Sequence, residues 1–339
     1  MSGLRSVGRL ADRVDELAVR ERFSGVVRVD RPDGDGFARA YGFADRRSGI
    51  PNTVETRFGI ASGTKGFTAL AIVSLIEDGT LDRSTTARSV LGPDLPLIDD
   101  GVTVEHLLAH RSGIGDYLDE STFDDTNAYL MPVPAHALDS TEAYLRVLDG
   151  FPQVSAPDER FAYNNGGFVV LALIAERASG VPFERLVRER VCEPAGMRAT
   201  GFLRSDELPA DAATGYLGVD GVRTNVHHLP VLGSGDGGIF TRVDDVAAFW
   251  EAFFAGRIVS ETWVAEMVRP RSHWAEERKR HGLGFHLHET SDVVWLEGSD
   301  AGVSFASTYE PSTRTSATMI SNVSDSWAVA LLLDEELGL

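Results

Sequence analysis

The stretch Phe58-Gly-Ile-Ala-Ser62-Gly-Thr-Lys65-Gly-Phe-Thr68 decides how this chain is read. It sets a serine and a lysine three residues apart at the start of an apolar, helix-periodic run. Residues at that spacing share one face of a helix. A serine hydroxyl is a weak nucleophile until a neighbour takes its proton. Desolvation and nearby charges lower the proton affinity of a lysine enough to make it that base. Many helices carry Ser and Lys at this spacing by chance, so the pair gains meaning only from partners elsewhere in the chain.

Around the pair, Phe67, Leu70, Ile72, Val73, Leu75 and Ile76 predict a helix over 62–78 that is buried on most sides, with Gly79 as its stop signal. Upstream, Leu4, Val7, Leu10, Val14 and Leu17 predict an amphipathic helix over 4–20. Gly25–Val29 and Phe37–Tyr41 flank Arg31-Pro-Asp-Gly-Asp-Gly36 and predict a hairpin. Residues 80–230 alternate helical patterns, near 103–110, 141–148, 166–179 and 182–191, with long polar loops. The segment 119–140, with Pro132 and Pro134, has little periodicity and is expected to be a mobile flap over a site. From about 280 the period shifts to two, with strands at 283–288, 293–296, 303–309 and 317–321, and a final helix at 326–337. Strands at both ends with helices between predict an α+β fold, one antiparallel sheet built from both termini with flanking helices and an inserted, mostly helical region. The expected organisation is one domain over 1–339, its α/β part being 1–79 and 230–339 and its helical part 80–229.

The whole chain bounds the function. It has 339 residues, 43% hydrophobic and 24% charged, the composition of an ordinary globular protein with ample core. A formal net charge of −19 argues against nucleic acid or an anionic membrane as partner. The first residues lack the apolar core of a signal peptide, and nowhere do eighteen apolar residues run together. Cys192 is the one cysteine, excludes an internal disulfide and reads as a buried small hydrophobe. A cytoplasmic protein is expected.

A second element is Phe161-Ala-Tyr163-Asn-Asn165-Gly-Gly. A phenol two residues before an amide, just ahead of a helix, offers one group to relay protons and another to orient neighbours; an asparagine there also serves as an N-cap. With Ser62 and Lys65 about a hundred residues upstream, the catalytic reading is the stronger.

Together these residues resemble the serine β-lactamase-like family, which includes class C β-lactamases, DD-peptidases and related esterases and D-amino-acid amidases. Ser62-Gly-Thr-Lys65 is similar to its first motif and Tyr163-Asn-Asn165 to its second. Leu107-Leu-Ala-His110-Arg-Ser-Gly113, Glu193-Pro-Ala-Gly-Met197 and Gly237-Gly-Ile-Phe-Thr-Arg-Val-Asp-Asp245 resemble further family segments, in the family's order. The third motif, usually K-T-G or H-x-G on a strand lining the site, falls by count on Leu296-Glu297-Gly298, ahead of Ala301-Gly302-Val-Ser304. Its cation is missing. Leu296 is apolar and Glu297 adds negative charge where the carboxylate of a β-lactam or peptide would bind, so such substrates lose a charge-assisted contact.

Rival chemistries lack their residues. There is no G-x-S-x-G elbow, no Walker A loop and no dinucleotide fingerprint. His106 and His110 stand at a zinc-binding spacing, but Leu107 replaces the glutamate of H-E-x-x-H, and His110 reads as a structural hydrogen-bonder at a helix end. No metal and no cofactor are expected. His286 and His288 alternate on one strand face, so one or both are candidates for the site; with Arg242 they are also the candidate replacement cations.

The resemblance implies a cleft between the sheet and the helical part, with Ser62 as nucleophile on an ester or amide carbonyl. Lys65 and Tyr163 share its proton, which of them is base being left open. Asn165 holds Lys65 or the substrate, and the backbone N–H groups of Ser62 and Ser299 form the oxyanion hole, with Leu296, Glu297 and Gly298 beside it. A carboxylesterase or small-amide hydrolase is expected, acting on a small-molecule ester or amide. The alternatives are a D-amino-acid peptidase, amidase or β-lactamase, a transacylase on the same acyl-enzyme, and a non-catalytic binding module.

Overall fold

The computed structural model describes residues 7–122, 125–275 and 277–338. The first helix is α1 (Val7–Arg20), and residues 4–6 of the predicted span lie outside the described residues. Its buried face, Val7, Leu10, Val14 and Leu17, is the periodic set expected. The hairpin forms as β1 (Gly25–Asp30) and β2 (Phe37–Tyr41). The central helices are α2 (Thr64–Glu77), α3 (Val104–Leu108), α4 (Asn165–Ser179) and α5 (Val243–Phe254). The C-terminal part contributes β3 (Ser272–Trp274), β4 (Lys279–His281), β5 (His286–His288), β6 (Val294–Asp300), β7 (Val303–Glu310), β8 (Thr315–Ser321) and α6 (Ala328–Leu337).

These strands form one antiparallel sheet in the order β2-β1-β8-β7-β6-β5-β4-β3. The two ends of the chain meet where β1 pairs with β8 in the register Val27↔Met319 and Val29↔Ala317, as the α+β reading expects. Period-two alternation divides these residues between two layers. Val27, Val29, Ala317 and Met319 pack on Leu10, Val14 and Leu17 of α1 and Val329 and Leu333 of α6. On the opposite side Val26, Ile320 and Phe305 belong to a larger core with Phe67 and Leu70 of α2 and Phe249, Trp250 and Phe253 of α5. Each such side chain removed from water stabilises the fold by roughly 1.5–3 kcal/mol.

Helix α2 is buried continuously from Thr64 to Leu75, and α4 from Asn165 to Ala175. A helix apolar all round belongs in a core, and these two pack against each other there. Their N-terminal ends open on the same cleft, which brings Ser62, Lys65 and Asn165 together.

The local differences have physical causes. The helix predicted over 62–78 starts two residues late, because Ala61–Gly63 form a 3₁₀ turn entered through Ala61 at φ +45°. The predicted 141–148 helix is a 3₁₀ turn (Thr141–Tyr144) followed by a short helix (Leu145–Leu148). That at 182–191 is helical only over Phe183–Val187 and continues as a π turn (Arg188–Cys192). The strand read at 283–288 is confined to β5, since Gly284 at φ +81° lies against Ala69 of α2, where a Cβ would collide. The 119–140 segment carries 3₁₀ turns at Glu120–Thr122, Thr126–Ala128 and Ala135–Ala137, residues 123–124 lying outside the described residues. Glu120, Tyr129 and Met131 place this segment on the wall of the cleft. Among the described residues no single helix is long and apolar enough to cross a membrane.

Candidate active site

Ser62 sits on the 3₁₀ turn that leads into α2, and Lys65 lies in the first turn of that helix. Lys65 Nζ is 2.8 Å from Ser62 Oγ, 2.7 Å from Asn165 Oδ1 and 3.0 Å from the Asp236 carbonyl. Only 4% of Lys65 is exposed. Burial lowers its proton affinity, while Asp236, Glu120, Asp116 and Asp300 pull the other way.

The Tyr163-Asn164-Asn165 segment divides its duties. Asn164 is the N-cap of α4, its Oδ1 accepting from Gly167 N–H at 2.6 Å. That frees Asn165 for the cleft. The Asn165 Nδ2 donates to the Leu118 carbonyl at 2.8 Å and to Glu120 Oε1 at 3.0 Å. With both amide hydrogens committed, Oδ1 is the atom that faces Lys65. Asp116 braces the same residue by accepting from the N–H groups of Asn165 at 2.6 Å and Gly166 at 2.8 Å. Burial pushes the Asp116 carboxyl up to about 7 against the pull of those N–H donors.

Tyr163 closes the other side of Ser62. Its ring lies 5.0 Å from Lys65 Nζ and is stacked between His110 at 4.5 Å and Trp274 at 5.7 Å. Burial, reinforced by Glu120, holds its phenol well above the ordinary value, although contact with Ser62 favours ionisation. His110, His281 and His286 form a buried group behind it, and burial holds all three well below the usual histidine range. His110 Nδ1 accepts from Asn164 N–H at 3.0 Å, so it has the structural duty expected of it. His106 belongs to the capping box of α3, apart from any metal-binding arrangement. Among the described residues no group of three or more potential metal ligands converges.

Two recesses meet at Ser62. The larger, about 420 Å³, is bordered by Ser62, Asn165, Asp236, Asp300 and Ser299. Asp236 Oδ2 accepts from Tyr117 at 2.5 Å, and burial, above all, raises the Asp300 carboxyl to about 7, assisted by Asp236. The smaller, about 90 Å³, lies between Ser62, Tyr163, His286, Glu297 and Ser299. Gly298 joins the two sides. A Cβ there would stand 2.7 Å from Ser62 N and would collide with the Ile60 carbonyl, so only glycine lets β6 lie flat against the serine turn.

The third-motif segment departs from the reading at Leu296 and adds detail at Glu297. Leu296 does not reach the cleft; it is 3% exposed and packs on Gly66 of α2, where its apolar side chain is removed from water. Glu297 is not an uncompensated charge. Its Oε1 is 2.7 Å from Lys279 Nζ and its Oε2 accepts from Trp295 Nε1 at 3.2 Å. Of the candidate cations, His286 borders the smaller recess. His288 instead accepts from the backbone N–H groups of Thr290 and Ser291, and Arg242 pairs with Asp245 at 3.4 Å. Asp116, Glu120, Asp236, Asp300 and Lys279 escaped the sequence reading. Asp116 and Asp236 lie on loops, Glu120 opens a 3₁₀ turn, Lys279 starts a polar three-residue strand and Asp300 ends β6, with no motif to mark them.

The chain is 34% identical to the esterase EstB of Burkholderia gladioli over 59% of its own length and 53% of the relative's. It is 30% identical to a D-aminopeptidase of Brucella anthropi over 78% of its length and 49% of the relative's, so it spans about half of each of these two proteins. A penicillin-binding protein from Bacillus halodurans superposes with a TM-score of 0.89 at 32% identity, covering 96% of this chain and 99% of that one. The family model described as Beta-lactamase matches residues 10–335, and the chain therefore belongs to the beta-lactamase family of serine hydrolases.

Proposed function

We propose that the protein is a cytoplasmic carboxylesterase or small-amide hydrolase that works through an acyl-enzyme on Ser62. One observation carries the reading: two of the three groups around Lys65 Nζ, Asn165 Oδ1 and the Asp236 carbonyl, can only accept. They hold two N–H bonds, and the third position faces Ser62 Oγ at 2.8 Å. A neutral Lys65 therefore turns its lone pair to the serine hydroxyl, and burial favours that neutral form. Tyr163, kept protonated by burial, is poorly suited to be the resting base and well suited to deliver a proton.

Lys65 takes the proton of Ser62 as Oγ bonds to the carbonyl carbon. The oxyanion is met by the backbone N–H groups of Ser62 and Ser299, and one such donor is typically worth about 3–4 kcal/mol of barrier. As the C–O or C–N bond breaks, Tyr163 protonates the leaving oxygen or nitrogen and is reprotonated from Lys65. Water then attacks the acyl carbon and gives its proton to the neutral Lys65, and Ser62 Oγ leaves as it takes that proton back from Lys65. The catalytic unit is the whole chain, with 1–79 and 230–339 forming the α/β part and 80–229 the helical part. The cytoplasmic assignment rests on one cysteine, the buried Cys192, which leaves no internal disulfide to maintain.

A fluorophosphonate probe tests the chemistry. Labelling of the wild type that is lost in Ser62→Ala supports it; a wild type that neither labels nor hydrolyses p-nitrophenyl acetate overturns it. A second reading, a D-amino-acid amide hydrolase, is favoured by Asp300, whose carboxylate borders the larger recess with no hydrogen-bond or ion-pair partner among the described residues. Such a carboxylate suits a substrate ammonium. Faster turnover of a D-amino-acid amide or nitrocefin than of p-nitrophenyl acetate selects that branch of the family over the esterase.

A further inference from the structure

The smaller recess contains an ion pair with a definite direction. Glu297 borders the recess beside Ser62 and Tyr163, whereas Lys279 stands behind it on β4, with 15% of its side chain exposed. The ammonium lies 5.9 Å from the Trp274 ring centre and 5.7 Å from that of Trp295. Its other carboxylate, Glu277 at 3.7 Å, is half-exposed. Both oxygens of Glu297 are taken, one by Lys279 and one by Trp295 Nε1. Two donors thus converge on one carboxylate, and that carboxylate belongs to the protein.

We propose that Glu297 is a specificity-determining residue: its carboxylate fills an anion seat made by Lys279 and Trp295 beside Ser62, so the site refuses acyl groups that bring a carboxylate of their own. The proposal rests on the acyl-enzyme reading of Ser62. An anionic acyl chain entering this recess meets Glu297 with the adjacent Lys279 already engaged, and Glu120 borders the same space. Charge-assisted hydrogen bonds are about twice as strong as neutral ones, so removing the resident charge while keeping its shape gives Lys279 to the substrate. Glu297→Gln makes that change.

The test compares p-nitrophenyl pentanoate with mono-p-nitrophenyl glutarate, equal in chain length and differing by one carboxylate. The wild type is expected to favour the neutral ester. Glu297→Gln should raise the anionic-to-neutral ratio of kcat/KM about tenfold, and Lys279→Met added to it should return the ratio to the wild-type level. A purely structural role for Glu297 would lower both rates and leave the ratio unmoved. Lys279→Met alone, which strands the Glu297 charge, should lower the ratio further and covers the case in which Glu297→Gln does not fold. Calorimetric affinities for phenylboronic acid and 3-carboxyphenylboronic acid repeat the comparison without turnover. A ratio that moves less than about threefold in Glu297→Gln, or stays high in the double variant, overturns the proposal while leaving the acyl-enzyme reading intact. If the wild type neither hydrolyses the neutral ester nor binds phenylboronic acid, that reading falls and this inference with it.

Discussion

On one side of Ser62 the larger recess holds Asp300 without a partner among the described residues, while on the other the smaller recess holds Glu297 with both oxygens engaged. The same chemical group is handled in opposite ways a few residues apart on β6. An unpaired carboxyl set into the recess wall is driven towards its neutral form, and Asp300 rises to about 7. Glu297 is instead tied to the Lys279 ammonium and the Trp295 indole N–H. The larger recess should therefore answer to pH and the smaller to salt and charge substitution.

The largest effect should erase the distinction, because both recesses border Ser62, the proposed nucleophile. Ser62→Ala is expected to cut kcat/KM by about 10⁴-fold or more for every substrate, measured with neutral, anionic and cationic p-nitrophenyl esters. Retained turnover of any one class would mean a second nucleophile. Gly298→Ala comes next. Pushing β6 off the serine turn should disturb the Ser299 donor and lower kcat by about 10²–10³-fold, with smaller change in KM. A variant of normal kcat would show that the spacing at Gly298 does not serve catalysis.

The pH–rate profile sharpens the comparison from the base's side. With a neutral ester, kcat/KM should rise as Lys65 loses its proton, with a midpoint below the ordinary lysine value of 10.5. The rise should disappear in Lys65→Met. A midpoint above that value would move the base to Tyr163, whose phenol is displaced upward.

The smallest effect concerns Asp300 alone. Its folded-state value, about 7, lies above the usual carboxyl value of 3.8, so the folded protein binds the extra proton in the window between them. The stability this group contributes is complete below 3.8 and is lost as pH rises through about 7. Asp300→Asn should therefore stabilise the protein by about 1–2 kcal/mol at pH 8, after allowance for partial exposure, with the gain shrinking as pH falls toward 4. Thermal unfolding across that range checks the sign. Preference for a cationic acyl group should also grow above pH 7 in the wild type and not in the variant.

The gathering of Ser62, Lys65, Tyr163 and Asn165 in one cleft was legible because short spacings carry it. Ser62 and Lys65 share a helix turn, and Tyr163 and Asn165 frame the start of another, so local pattern sufficed. Hydrophobic periodicity likewise gave α1, α2, β1 and β7. What escaped depends on partners far apart in the chain. One of the partners of Lys65 is the backbone carbonyl of Asp236, which no side chain announces. Lys279 meets Glu297 only because β5 separates β4 from β6 in the sheet order. Strands β3 and β4, Ser-His-Trp and Lys-Arg-His, have no apolar alternation to reveal them. Leu296 was assigned to the cleft by counting along a motif, whereas the tight approach of β6 to Gly66 turns it inward.

The absent side chain at Gly298 has a consequence for how such a protein changes over time. Because the distance between strand and serine turn is a backbone-to-backbone spacing, the proposed seat of the reacting carbonyl should not depend on the identity of its neighbours. Glu297 and Asp300, whose side chains border the recesses, should be exchangeable with little effect on that spacing. Substrate range is therefore free to drift by single substitutions along one strand, while the machinery that attacks the carbonyl is inherited unchanged.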